Sequence, residues 1–123
     1  MVASETCALD LVGAKYVRDL EAGEMIVIDD ENAEPKSIMY STHKPEHLAH
    51  CVFEYVYFAR PDSIMDGESI YQARINMGRQ LARETKNIKA DIVISVPDSG
   101  TPAAIGYGLE AGIPFVEGLT KNK

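Results

Sequence analysis

The stretch that decides the fold is I-V-I-S-V-P-D-S-G-T-P-A-A, residues 92–104. Ile92, Val93, Ile94 and Val96 make a short β-branched run that fits a strand buried on both faces of a parallel sheet. Pro97 stops it, because a proline nitrogen cannot donate to a ladder. Asp98, Ser99, Gly100 and Thr101 are turn formers, and Pro102 suits a first helical position, where an N–H would lack an intrahelical partner. A helix over 103–111 follows, with Gly112 as its C-terminal stop. Free N–H groups and the positive end of the helix dipole then converge on Ser99, Gly100 and Thr101, a geometry that attracts phosphate. Gly100 lets backbone approach such a ligand closely. An ordinary strand-turn-helix junction uses the same residue types, so on the pattern alone both readings stand.

Toward the C-terminus, Ile113 to Leu119 reads as another strand. Strand 92–96, helix 102–111 and strand 115–119 then form a βαβ unit with parallel strands and a right-handed crossover. Ligands of such sheets bind beyond the carboxyl ends of the strands, which puts Ser99 and Lys121 at one edge. On the N-terminal side, Ser69 followed by Gln72 has the form of a capping box. Ile70, Ala73, Met77 and Leu81 mark the core face of a helix running to about Thr85, with Arg74, Arg79 and Arg83 in water. Before it, residues 51–58 read C-V-F-E-Y-V-Y-F, where Val52, Tyr55, Val56, Tyr57 and Phe58 favour strand. Glu54 inside that run needs a partner if buried, and Arg60 is the candidate.

The first fifty residues are less regular. Ser4 is a candidate N-cap for a short helix carrying Leu9, Val12, Tyr16, Val17 and Leu20, with Gly13 as a weak point. Met25 to Ile28 reads as a strand, and the acidic run Asp29 to Lys36 as a surface loop or domain boundary. Its Asp29-Asp30 pair reads as solvated carboxylates rather than a metal site. His43, His47, His50 and Cys51 have spacings that interest a search for zinc. Pro45 breaks any helical face there and no Cys-x-x-Cys accompanies them, so surface histidines are the plainer reading.

With 123 residues and 46% hydrophobic content the chain can form one modest domain. A net charge of −7 argues against general binding to nucleic acid or anionic membranes, since both need a basic face. Any phosphate must therefore be held locally. Two cysteines, Cys7 and Cys51, make no disulfide framework, and no apolar run approaches a membrane span, so the expected compartment is the cytoplasm. Both ends are abrupt, which reads as a piece of something larger.

Four blocks carry a resemblance: A-S-E-T-C-A-L-D-L-V-G-A at 3–14, C-V-F-E-Y-V-Y-F-A-R-P-D-S at 51–63, V-P-D-S-G-T-P-A-A-I-G-Y at 96–107 and G-L-T-K-N-K at 118–123. Together they resemble the amidophosphoribosyltransferase family, whose members make 5-phosphoribosylamine from phosphoribosyl pyrophosphate and glutamine-derived ammonia in the first committed step of purine synthesis. The resemblance implies an α/β chain: residues 1–35 as the tail of an N-terminal-nucleophile glutaminase domain, and 36–123 as the start of a domain with the type I phosphoribosyltransferase fold. It implies that Asp98, Ser99, Gly100, Thr101 and Lys121 meet pyrophosphate, that Ser99 lies near Mg²⁺, and that 120–123 begins a mobile loop over the substrate. Cys51 matches a position that ligates a [4Fe–4S] cluster in cluster-bearing members and is retained in members without one. Cys7 matches no role, and a small buried side chain is its expected state. The parent is expected to be a cytoplasmic homo-oligomer.

The resemblance also has gaps. The family's glutaminase uses an N-terminal cysteine as nucleophile, and Met1-Val2 cannot replace it. Its transferase uses two adjacent aspartates followed by a Gly/Thr-rich loop, which Asp29-Asp30 does not match. The chain thus reads as an internal fragment without activity of its own. The alternatives are a non-catalytic phosphate-binding or interaction module, or part of a salvage phosphoribosyltransferase, against which the glutaminase-like first 35 residues weigh.

Overall fold

The computed structural model describes residues 1–30, 34–41 and 49–122. In chain order the elements are α1 (Thr6–Leu11), β1 (Glu24–Val27), β2 (Lys36–Met39), a π-helical turn (Glu54–Phe58), β3 (Ile64–Met65), β4 (Glu68–Ser69), α2 (Ile70–Glu84) and α3 (Thr101–Ala111). They divide into two units, Met1–Lys15 with Cys51–Lys123 and Tyr16–His50.

In the first unit the main packing is α2 against α3. Gly78 of α2 lies against the Ala103 carbonyl of α3, and Gly106 of α3 against the Ile75 carbonyl of α2. A Cβ on either glycine would strike that oxygen, so the two backbones touch where both side chains are hydrogen. This contact sets which face of α2 is buried: Ile70, Arg74, Ile75, Gly78 and Ala82. The face expected from hydrophobicity fails at Met77 and Leu81, which are exposed, while Ala73 is half-buried. Small residues, rather than the largest apolar ones, admit the partner helix.

Arg74, expected in water, is 2% exposed. Its Nε donates to the Tyr55 carbonyl at 2.7 Å and its Nη2 to the Ala59 carbonyl at 2.8 Å. These acceptors belong to the stretch read as a strand, which instead winds into the π-helical turn 54–58 with Val56, Tyr57 and Phe58 exposed. Strand preference there depended on neighbours that do not come, and the guanidinium satisfies carbonyls that a ladder would have taken. Arg60 pairs with Asp62 at 3.0 Å instead of Glu54.

α1 is shorter than expected. Gly13 adopts φ 68°, the Ala14 N–H returns to the Leu9 carbonyl and the Gly13 N–H to Asp10, a Schellman ending that excludes Val12, Tyr16, Val17 and Leu20 from the helix. Cys7 is buried, as expected. Glu5 ties α1 to residues 60–63, accepting from the Arg60 N–H at 2.8 Å and the Ser63 hydroxyl at 2.7 Å. Those two bonds, the Arg60 N–H first, hold its carboxyl below the ordinary range. β3 and β4 form a small antiparallel hairpin around Asp66-Gly67, both at positive φ, the conformation a tight Asp-Gly turn requires. Ser69 Oγ then accepts from the Gln72 N–H at 3.4 Å as the cap of α2, while the Gln72 side chain turns to Asn76.

In the second unit β1 and β2 pair antiparallel, with Glu24 opposite Met39 and Val27 opposite Lys36. β1 lies one residue before the expected strand at 25–28, and β2 begins inside the expected loop. The Glu24 side chain, 3% exposed, receives both Arg18 guanidinium nitrogens, the Ser37 hydroxyl and the Glu21 N–H. The Arg18 bonds are the first cause of a carboxyl pKa held at about 2. Asp29 pairs with Lys36 at 2.7 Å. The paired strands β1 and β2 lie on either side of residue 35.

The expected parallel sheet is reduced to one parallel bridge, Val93 with Phe115; both regular ladders are antiparallel. No helix among the described residues is long and apolar enough to cross a membrane.

Candidate functional site

The turn at 97–101 is positioned from both sides. Upstream, the Val93 N–H donates to the Pro114 carbonyl and the Val93 carbonyl accepts from the Val116 N–H, each at 2.9 Å. Gly118 packs on Ile94, so 115–118 runs alongside 93–96 for a few residues. This is the beginning of the expected βαβ unit, without its burial. Ile92, Ile94 and Val96 are 52%, 45% and 75% exposed, and the reading of a strand buried on both faces is corrected accordingly. A single bridge gives no neighbour to cover either face. The buried member of the run is Ser95, at 7%.

Downstream, α3 begins at Thr101 with Pro102 as its second residue, one position earlier than expected. Gly112 ends it in the left-handed conformation at φ 69°, as expected. The peptide between Pro97 and Asp98 is cis. The chain then folds back so closely that a Cβ on Gly100 would lie 2.7 Å from the Val96 carbonyl, which accounts for glycine there. The Thr101 N–H donates to the Asp98 carbonyl at 3.2 Å and the Ala104 N–H to Gly100 at 3.0 Å.

Lys121 Nζ lies 3.2 Å from Asp98 Oδ2, so the two most distant residues expected at the site are brought together. Ser99, Gly100 and Thr101 are half-buried beside them. Ser95 is the residue that sequence reasoning missed: its Oγ lies 3.0 Å from Thr101 Oγ1. The signal was a hydroxyl inside an otherwise apolar run, since a buried polar group needs a partner.

Other candidates come to less. A cleft of about 210 Å³ lies at the far ends of α2 and α3, lined among others by Arg83, Lys86, Tyr107 and Glu110. Its charged groups are turned on each other, Arg83 Nε meeting Glu110 Oε1 at 2.8 Å. Cys51 and His50 are exposed, while His43 and His47 lie outside the described residues. No group of three or more His, Cys, Asp or Glu able to hold a metal occurs among the described residues.

The site holds donors for an anion: the backbone N–H groups of the turn, two hydroxyls, a helix N-terminus and an ammonium. No family model matches the chain. Curated relatives named amidophosphoribosyltransferase match it end to end: 52% identity over 122 residues in Mycobacterium tuberculosis, 99% of this chain and 22% of the relative. In Archaeoglobus fulgidus the identity is 50% over 123 residues, all of this chain and 26% of the relative. A solved structure of glutamine phosphoribosylpyrophosphate amidotransferase from B. subtilis, complexed with ADP and GMP, superposes on 98% of this chain and 25% of its own. The TM-score is 0.87 at 48% identity. In sequence and in fold the chain is similar to the amidophosphoribosyltransferases and spans about a quarter of their length.

Proposed function

We propose that these residues belong to an enzyme forming 5-phosphoribosylamine from phosphoribosyl pyrophosphate and glutamine-derived ammonia, and that the 97–101 turn is its pyrophosphate-facing wall. The observation that carries the reading is the 52% identity over 122 residues to enzymes of that name. Residues 1–35 are then the end of a glutaminase domain and 36–123 the start of a phosphoribosyltransferase domain, the compact units notwithstanding.

In that reaction ammonia attacks C1 of the ribose and pyrophosphate leaves, so negative charge grows on the leaving group. Donors already aimed at that charge lower the barrier most. The N–H groups of Ser99 and Gly100 and the start of α3 supply them without rearranging. Lys121 exchanges its pairing with the Asp98 carboxylate for the incoming phosphate. For Mg²⁺, the turn offers the Asp98 carboxylate and the Ser99 hydroxyl, a sparse oxygen set that fits a cation which keeps waters and shares substrate phosphates. Held there, Mg²⁺ would supply positive charge against the developing pyrophosphate. Two cysteines, one buried and one exposed, do not make the four thiolates of a [4Fe–4S] cluster, so exposed Cys51 would supply one ligand and the longer protein the others.

Calorimetry with phosphoribosyl pyrophosphate and Mg²⁺ tests the reading on the 123-residue chain. Saturable heat that disappears without Mg²⁺, with no phosphoribosylamine formed from glutamine, is the expected result. No heat at millimolar ligand contradicts it. Binding of free phosphate as tight as that of phosphoribosyl pyrophosphate would favour a general phosphate-binding module instead.

A further inference from the structure

We propose that Ser95 is a positioning residue for the 97–101 turn: its buried hydroxyl donates to Thr101 Oγ1 and so turns the Thr101 O–H outward, toward a phosphate oxygen. The proposal rests on the reading of that turn as the pyrophosphate wall and adds to it a residue that no motif assigns.

The geometry is specific. Ser95 is 7% exposed and its Oγ lies 3.0 Å from Thr101 Oγ1, with either oxygen able to donate. Its place is fixed from behind, because Val93, two residues earlier, is bonded through both its N–H and its carbonyl to the 114–116 segment. Thr101 is fixed as the first residue of α3, its own N–H bonded to the Asp98 carbonyl. Each hydroxyl carries one proton. If Thr101 gives its proton inward to Ser95, it shows a bound anion only lone pairs, and repels it. If Ser95 gives its proton to Thr101, the Thr101 proton is available to the anion, and Ser95 polarises the bond it makes. An anionic acceptor therefore selects the second arrangement. A bond to a charged acceptor is also about twice as strong as one between neutral groups. Burial matters because Ser95 has little water to turn to, so its proton stays committed to Thr101.

The test is calorimetric titration of the 123-residue chain with inorganic pyrophosphate and Mg²⁺, on wild type, Ser95→Ala, Ser95→Thr, Thr101→Ala and the Ser95→Ala/Thr101→Ala double variant. Loss of one neutral hydrogen bond predicts a rise in Kd of roughly three- to tenfold for Ser95→Ala. Ser95→Thr, which keeps the hydroxyl, restores most of the affinity. The double variant binds no more weakly than Thr101→Ala alone, because Ser95 acts only through Thr101. Ser95→Cys, which keeps the packing but donates poorly, repeats the loss if alanine disturbs the fold. Wild-type affinity in Ser95→Ala, or single effects that multiply in the double variant, overturns the relay and leaves the turn intact. Absence of binding in the wild type overturns the pyrophosphate wall, and the relay with it.

Discussion

The crossing of α2 and α3 and the side-by-side run of 92–96 and 115–118 lie in one unit, yet they are held together by opposite means. At the crossing, Gly78 and Gly106 bring backbone onto backbone and leave no room for a methyl group. Along the run, one bridge joins Val93 to Phe115, and the apolar side chains on either side of Ser95 face outward. Two helices need only each other to bury a face. A parallel strand needs neighbours on two edges and cover on two faces, and here it has one neighbour at one point. The turn at 97–101 is where these two regimes join, α3 fixing its far side and the bridge its near side.

The sharpest way to break this comparison is Gly78→Val. Forcing a branched side chain against the Ala103 carbonyl costs about 3 kcal/mol or more, read as a fall in the urea midpoint of helical circular dichroism. A tolerated valine would mean that the helices do not touch there. Arg74→Ala comes next. It strands the Tyr55 and Ala59 carbonyls and costs about 2 kcal/mol, with Arg74→Lys in between.

The second unit gives a pH handle. Glu24 titrates at about 2 rather than the ordinary 4.5, so its contribution is complete above the ordinary value and is lost as pH falls from there toward 2. Ser37→Ala, which removes the second of its bonds, moves that loss to higher pH, measurable by carboxyl NMR titration of β1. The smallest effect belongs to the strand run. Ile94→Ser costs only about 1 kcal/mol, because the side chain is already half in water. A loss of several kcal/mol would restore the doubly buried strand expected from the β-branched run.

What was legible in the sequence was local. Gly112 stops α3 because a left-handed residue is needed there, and the Ser69 cap and the strand near 25–28 follow from neighbours along the chain. The turn residues Asp98 to Thr101 were also readable, since their types mark a junction whatever surrounds it. What failed was non-local. Whether 92–96 is buried, whether 52–58 is strand or helix, and which face of α2 points inward all depend on partners far along the chain. Arg74 was misplaced because a helical arginine is usually solvated, and only the arriving carbonyls of 55 and 59 make burial possible. Asp66-Gly67 is a plain hairpin signal, but its strands are only two residues each, too short to show as an alternating pattern. Ser95 was visible as a lone hydroxyl, but its partner six residues on could be seen only in the fold.

The central claim is that the 97–101 turn receives pyrophosphate. Backbone-amide NMR of the 123-residue chain during titration with pyrophosphate and Mg²⁺ tests it most directly. The account predicts that the amides of Ser99, Gly100 and Thr101 shift first and most, with those at the Gly78–Gly106 crossing unmoved. Saturation elsewhere, such as the Arg83 and Lys86 cleft, with a silent turn would contradict it.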